Sequence, residues 1–118
     1  MLAGLAGCSV DYTAAERYEN GLVVVLDGAG DVTMAPGQIR WGLQDGGVRH
    51  AIEVFPWSDA HNVLADQTNL ERNRQVAGRL TSRVVRYMAE YPGRPVHLIG
   101  LSAGTGIVIF AVEQLPAG

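Results

Sequence analysis

His97-Leu98-Ile99-Gly100-Leu101-Ser102-Ala103-Gly104, near the C-terminal end of the chain, is the stretch from which the fold can be read. A short apolar run, Val96 to Leu101, has the pattern of a buried strand. It passes without a spacer into Ser102 and then into the apolar segment Ile107 to Leu115, which reads as a helix. Ser102 stands between Gly100 and Gly104, giving G-x-S-x-G at a strand-to-helix junction. The spacing has a steric reason. A serine on a sharp turn crowds the residues two before and two after it, so both must be nearly free of side chain. The strain holds the hydroxyl clear of the backbone, and the following helix directs its N-terminus at negative charge developing there.

Upstream of this strand, Thr68-Asn69-Leu70-Glu71 has the T-x-x-E form of a capping box and predicts a long helix stopped by Pro92-Gly93. Val76, Leu80, Val84, Met88 and Tyr91 recur at helical spacing as its core-facing stripe. Arg72, Arg79, Arg83 and Arg86 fall on a different side, which reads first as a solvated face. Val48 to Phe55 reads as a second strand ended by Pro56, followed by a loop, Trp57 to Gln67, that carries Asp59 and His61. Further back, Leu22 to Leu26 is the continuous run expected of a central parallel strand covered on both faces. It ends in the loop Asp27-Gly28-Ala29-Gly30-Asp31, and Ile39 to Gln44 form a short helix behind Pro36. Asp11 to Asn20 has room for a short helix and carries no motif. Strands alternating with helices predict an α/β fold with a mostly parallel sheet and flanking helices. All strand C-termini then share one edge, where open α/β sheets hold their ligands. That edge collects Gly28 to Gly30, Trp57 and Ser102.

The 118 residues suffice for one small domain. A hydrophobic content of 47% with 18% charged residues excludes disorder. The net charge of −3 offers no global argument for nucleic acid. All nine basic residues are arginine, so a lysine-containing phosphate loop is excluded. No apolar run approaches the roughly 20 residues of a membrane-spanning helix. The single cysteine, Cys8, excludes an internal disulfide. Leu5-Ala6-Gly7-Cys8 is similar to a lipobox, which would anchor the chain to a membrane of the cell envelope through a lipidated Cys8. Against this, the segment lacks a basic n-region and a full apolar h-region. Residues 1–20 read equally as an Ala/Gly-rich terminal segment with an ordinary cysteine, on a cytoplasmic protein.

With a glycine loop after the first strand and G-x-S-x-G after the third, residues 21–118 resemble the N-terminal portion of an α/β-hydrolase domain. That portion ends just after the nucleophile elbow and its helix. The resemblance implies a three-layer α-β-α arrangement with the first strand between the other two. It implies a serine hydrolase of the esterase, lipase or peptidase type, with Ser102 attacking the acyl carbonyl of an ester or amide. The oxyanion would be held by the backbone amide of Ala103 and one of Gly28, Ala29 or Gly30, Ala29 foremost. Small residues suit that loop because its N–H groups must come within about 3 Å of the oxyanion, each worth about 3 kcal/mol. The family often has a His-Gly pair where this chain has Asp27-Gly28. A carboxylate pointing inward would oppose an oxyanion, so Asp27 is expected to turn away and brace the loop. No metal or organic cofactor is implied.

In the family's order an acid and a histidine follow the serine. Here Glu113 is the one carboxylate after Ser102, and no histidine follows it. The base and its orienting acid are therefore missing from these residues, and the chain by itself is expected to be a poor catalyst. Asp59 and His61 lie on the correct edge but would break the order; with Trp57 they are candidates for a pocket. Phe55 suits a pocket or the core equally. His97 is expected to point into a helix layer, and His50 to sit at the wrong end of the sheet.

Two rival classes remain open. Gly28-Ala29-Gly30 begins a dinucleotide fingerprint with Glu53 about twenty residues on, but Thr33 replaces the third glycine and Glu53 lies within a strand. The other rival is a non-catalytic protein that uses the same fold for binding.

Overall fold

The computed structural model describes residues 10–31, 33–58 and 61–116. Along the chain it forms α1 (Ala15–Tyr18), β1 (Leu22–Leu26), α2 (Ala35–Asp45), β2 (Ala51–Val54), α3 (Val63–Thr68), α4 (Leu70–Glu90), β3 (Val96–Gly100) and α5 (Gly104–Gln114). The strands make one all-parallel sheet in the order β2-β1-β3. Leu22 pairs with Ala51 on one side and Val96 on the other, and Leu26 pairs with Gly100. Helices cover both faces, so the architecture is a small three-layer α/β fold.

Every residue of β1 is buried, as its unbroken apolar run requires. Alternation along the strand divides the core in two. Leu22, Val24 and Leu26 face α4 and α5 and pack with Trp57, Val76, Leu80, Val84, Tyr87, Ile107 and Ala111. Val23 and Val25 face the other way, joining Ile52 beneath Ile39 and Leu43 of α2. The second core is much the smaller because α2 is its main cover. His97 lies on that face, opposite Val23, but is exposed and has no helix layer over it. Its ring instead sits beside that of His50, with centroids 5.7 Å apart.

Several boundaries differ from expectation for local reasons. β2 starts at Ala51 rather than Val48. Side chains of the N-terminal segment take the carbonyls just ahead of it, with Arg17 donating to His50 O and Asn20 to Arg49 O. Thr68 does not cap the long helix. Its hydroxyl donates back to Leu64 O, closing α3, and Asn69 caps α4 by accepting from Arg72 N at 3.1 Å. α3, six residues capped by Asn62, occupies part of the expected loop and is too short to show a period. α2 begins earlier, with Pro36 in its first turn. In α4 the buried stripe runs Val76, Leu80, Val84 and Tyr87, leaving Met88 half exposed and Tyr91 partly covered.

Candidate active site

β3 delivers the chain to Ser102, and α5 leaves from it two residues later. Ser102 has φ +49°, the left-handed region that costs an L-residue about 1–2 kcal/mol. The glycines on either side show what enforces it. A Cβ on Gly100 would lie 2.7 Å from Gly104 O and 2.8 Å from Thr105 Cα. A Cβ on Gly104 would land on the carbonyl oxygen of Asp27 and 3.1 Å from that of Leu26. Neither clash could be relieved by a side-chain rotation, since these atoms are backbone. The turn is closed by Gly104 N donating to Leu101 O and registered on β1 by Leu101 N donating to Leu26 O. Ser102 itself is exposed.

The loop after β1 packs against this turn at Gly28, where a Cβ would reach 3.5 Å from Ser102 Cβ. Three aspartates fix its shape. The buried Asp27 carboxylate accepts from Gly28 N and Thr33 N, both at 2.7 Å, and from Thr33 Oγ1. Burial alone would raise its pKa, but the bonds from Thr33 and Gly28 prevail and hold the carboxyl below its ordinary value. Asp27 thus braces its own loop, as expected, while its carbonyl accepts from Trp57 Nε1 at 2.7 Å. Asp31, at φ +56°, accepts from Trp57 N and Ser58 N. Asp66, 1% exposed, accepts from Gly30 N at 2.7 Å, Ser58 Oγ at 2.6 Å and Arg72 Nη1 at 3.3 Å. Arg72 also donates to Trp57 O.

These bonds sort the loop amides. Gly28 N and Gly30 N are taken by carboxylates, and the amides of Ala29 and Ala103 have no partner among the described residues. His61 is exposed at φ +58°, and its Nδ1 lies 2.5 Å from Gly30 O, where it must be the donor. Asp31, His61 and Ser102 are the non-glycine residues with positive φ among those described, and all three lie at this edge. Such backbone strain collects where a site over-determines its geometry.

Trp57, considered above as a pocket residue, is 1% exposed and belongs to the core. Its indole has a structural partner in Asp27 O. Asp59 and Cys8 fall outside the described residues. The cleft that Ser102 does line, of about 350 Å³, is bounded by Ser102, Ala103, Gly106 and Phe110 of the turn and α5. Its other wall is Asp66, Gln67, Leu70 and Asn73 at the α3–α4 corner. Among the described residues no group of three or more His, Cys, Asp or Glu could hold a metal ion.

The arginines of α4 do not form one free face. Arg72 turns toward Asp66, and Arg83 pairs with Glu53, its Nε 3.0 Å from Oε1. Tyr18 donates to the same carboxylate at 2.7 Å. Burial, and then Glu53, push the Tyr18 hydroxyl up to about 12. Burial would raise Glu53, yet Arg83 and Tyr18 hold it below its usual value. With Glu53 so engaged, and Gly28 N and Gly30 N occupied by carboxylates, the loop is poorly suited to a pyrophosphate.

Asp66, Ser58, Arg72 and Thr33 escaped the sequence reading as parts of this site. Asp66 looked like one polar residue in a loop, and its distance of 36 residues from Gly30 is bridged only by the fold. No family model, curated protein or solved structure matches this chain.

Proposed function

We propose that this edge of the sheet is an acyl-transfer site, in which Ser102 is the nucleophile of a serine hydrolase resembling the α/β-hydrolases. The observation that carries the proposal is Ser102 at φ +49° between two glycines whose Cβ atoms would strike backbone. The fold keeps a strained, exposed hydroxyl at the C-terminal end of a parallel strand, where a hydrophilic surface turn would need no such construction.

In this reading Ser102 Oγ attacks the carbonyl carbon of an ester or amide and forms a tetrahedral intermediate. Its oxygen, newly negative, is held by the Ala29 and Ala103 amides, with the start of α5 adding its dipole. Collapse passes the proton given up by Ser102 Oγ to the leaving group, expels the alcohol or amine and leaves an acyl-serine, which water hydrolyses to the acid and free Ser102. The three aspartates fill Gly28 N, Gly30 N and the neighbouring amides, so the loop is rigid before substrate arrives. Preorganised donors of this kind cost no rearrangement at the moment of reaction. No base is assigned, because no histidine lies within hydrogen-bond reach of Ser102 Oγ among the described residues.

The test is hydrolysis of p-nitrophenyl butyrate by the natural gene product and its Ser102→Ala variant. The rate should fall by about a thousandfold or more in the variant. Equal rates in the two proteins would remove Ser102 from the chemistry. A protein that binds esters in the same cleft without turnover would mark the non-catalytic rival as correct.

A further inference from the structure

We infer that the cleft beside Ser102 is an acyl-chain groove, that its substrates are esters of linear medium-chain acids, and that Gly106 sets the chain length it accepts. This rests on Ser102 being the acyl acceptor. Ala103, Gly106 and Phe110 recur at three- and four-residue spacing and so share one face of the α5 segment, with Ser102 at its head. From Ala103 to Phe110 the helix rises about 10 Å, a length that an extended chain of about eight carbons would fill. The floor at the midpoint is Gly106, where a Cβ would meet nothing within 4 Å. The bare backbone there is not demanded by packing, unlike that of Gly100 and Gly104. It leaves space in the groove.

The opposite wall is less polar than its residue names suggest, because two of its three polar side chains are already engaged. Asp66 is occupied by Gly30 N, Ser58 Oγ and Arg72, and Asn73 donates to Asp66 O while accepting from Arg72. What remains accessible is Leu70, 53% exposed, the partly buried Phe110 and the exposed side chain of Gln67. The Arg74 guanidinium stacks on that ring, 4.7 Å from its centroid, and marks the far end with charge. Uncommitted amides lie at the Ser102 end, apolar surface along the middle and a cation beyond. That order suits a carbonyl or carboxylate head with an alkyl tail of limited length.

The test is calorimetric binding of n-alkyl carboxylates from butanoate to dodecanoate, below their micelle concentrations, to the natural gene product. Affinity should rise by about threefold per CH₂ up to octanoate and level off by decanoate. Gly106→Leu should weaken octanoate at least tenfold and leave butanoate within twofold. Phe110→Ala, which opens the far end, should weaken octanoate but not butanoate, and guards against a Gly106→Leu change that disturbs the helix. Affinity independent of chain length, a rise continuing through dodecanoate, or unchanged octanoate binding in both variants would overturn the inference. Binding of the carboxylates involves no turnover and is read separately from ester hydrolysis. Length-dependent binding without any esterase activity would therefore leave the groove standing and remove the hydrolase reading. Activity without length dependence would do the reverse.

Discussion

The turn at Gly100–Gly104 and the loop at Asp27–Asp31 touch across Gly28 and Ser102, and different forces hold them in shape. The turn is steric. Two missing Cβ atoms admit it, and the hydrogen bonds that close it are backbone to backbone, with Thr105 Oγ1 also donating to Gly100 O. The loop is electrostatic. Carboxylates of Asp27, Asp31 and Asp66 gather amides of the loop and its neighbours, several of them from residues outside the glycine run. A steric constraint can be written in a five-residue motif, whereas an electrostatic one borrows groups from anywhere in the fold. The steric turn should also be indifferent to pH, and the electrostatic loop should not.

The largest effect should come from breaking the turn. In Gly104→Val the new side chain meets the Asp27 and Leu26 carbonyls with no rotamer to escape into, and a loss of about 4 kcal/mol or more is expected. Urea unfolding monitored by Trp fluorescence measures it; a loss below about 1 kcal/mol would mean the turn is not packed as described. Breaking the loop is next. Asp66→Ala leaves Gly30 N and Ser58 Oγ without their acceptor and Arg72 without its ion pair, for an expected loss of about 3 kcal/mol in the same assay.

Asp27→Asn is milder, about 1–2 kcal/mol at neutral pH, since the amide retains one acceptor oxygen. It also carries the pH signature. The Asp27 pKa is depressed in the folded state, so its stabilisation is complete above the ordinary value of about 3.9. It is lost as pH falls below that value and through the folded pKa. The gap between parent and variant in urea midpoints should accordingly close on acidification below about pH 4, while the Gly104→Val gap stays constant. The smallest effect is a gain. Ser102→Gly removes the left-handed strain and should be about 0.5–1 kcal/mol more stable than Ser102→Ala, the glycine's own entropy offsetting part of the relief.

The fold was legible because its signals are local. The unbroken Leu22–Leu26 run announced a central strand, and the alternation of strands with helices announced a parallel sheet with its loops on one edge. G-x-S-x-G announced the turn, since its two glycines are forced by neighbouring backbone or by the adjoining strand. The exchange of Thr68 for Asn69 as a helix cap was not legible. Both residues can cap, and the choice depends on α3 using the Thr68 hydroxyl for its own end. His97 was misplaced because alternation gives a residue's face but not whether a helix reaches over it. Asp66 and Asp31 were invisible as loop anchors for the reason already seen in their bonds. A buried carboxylate is defined by what folds around it.

The most direct measurement is covalent. The natural gene product is treated with a fluorophosphonate probe, digested, and the adduct located by mass spectrometry. A single adduct on Ser102, absent from Ser102→Ala and strongly slowed in Gly104→Val, is the predicted result. A probe that leaves Ser102 unmodified, or that modifies other hydroxyl groups at the same rate, would contradict an activated serine at this turn.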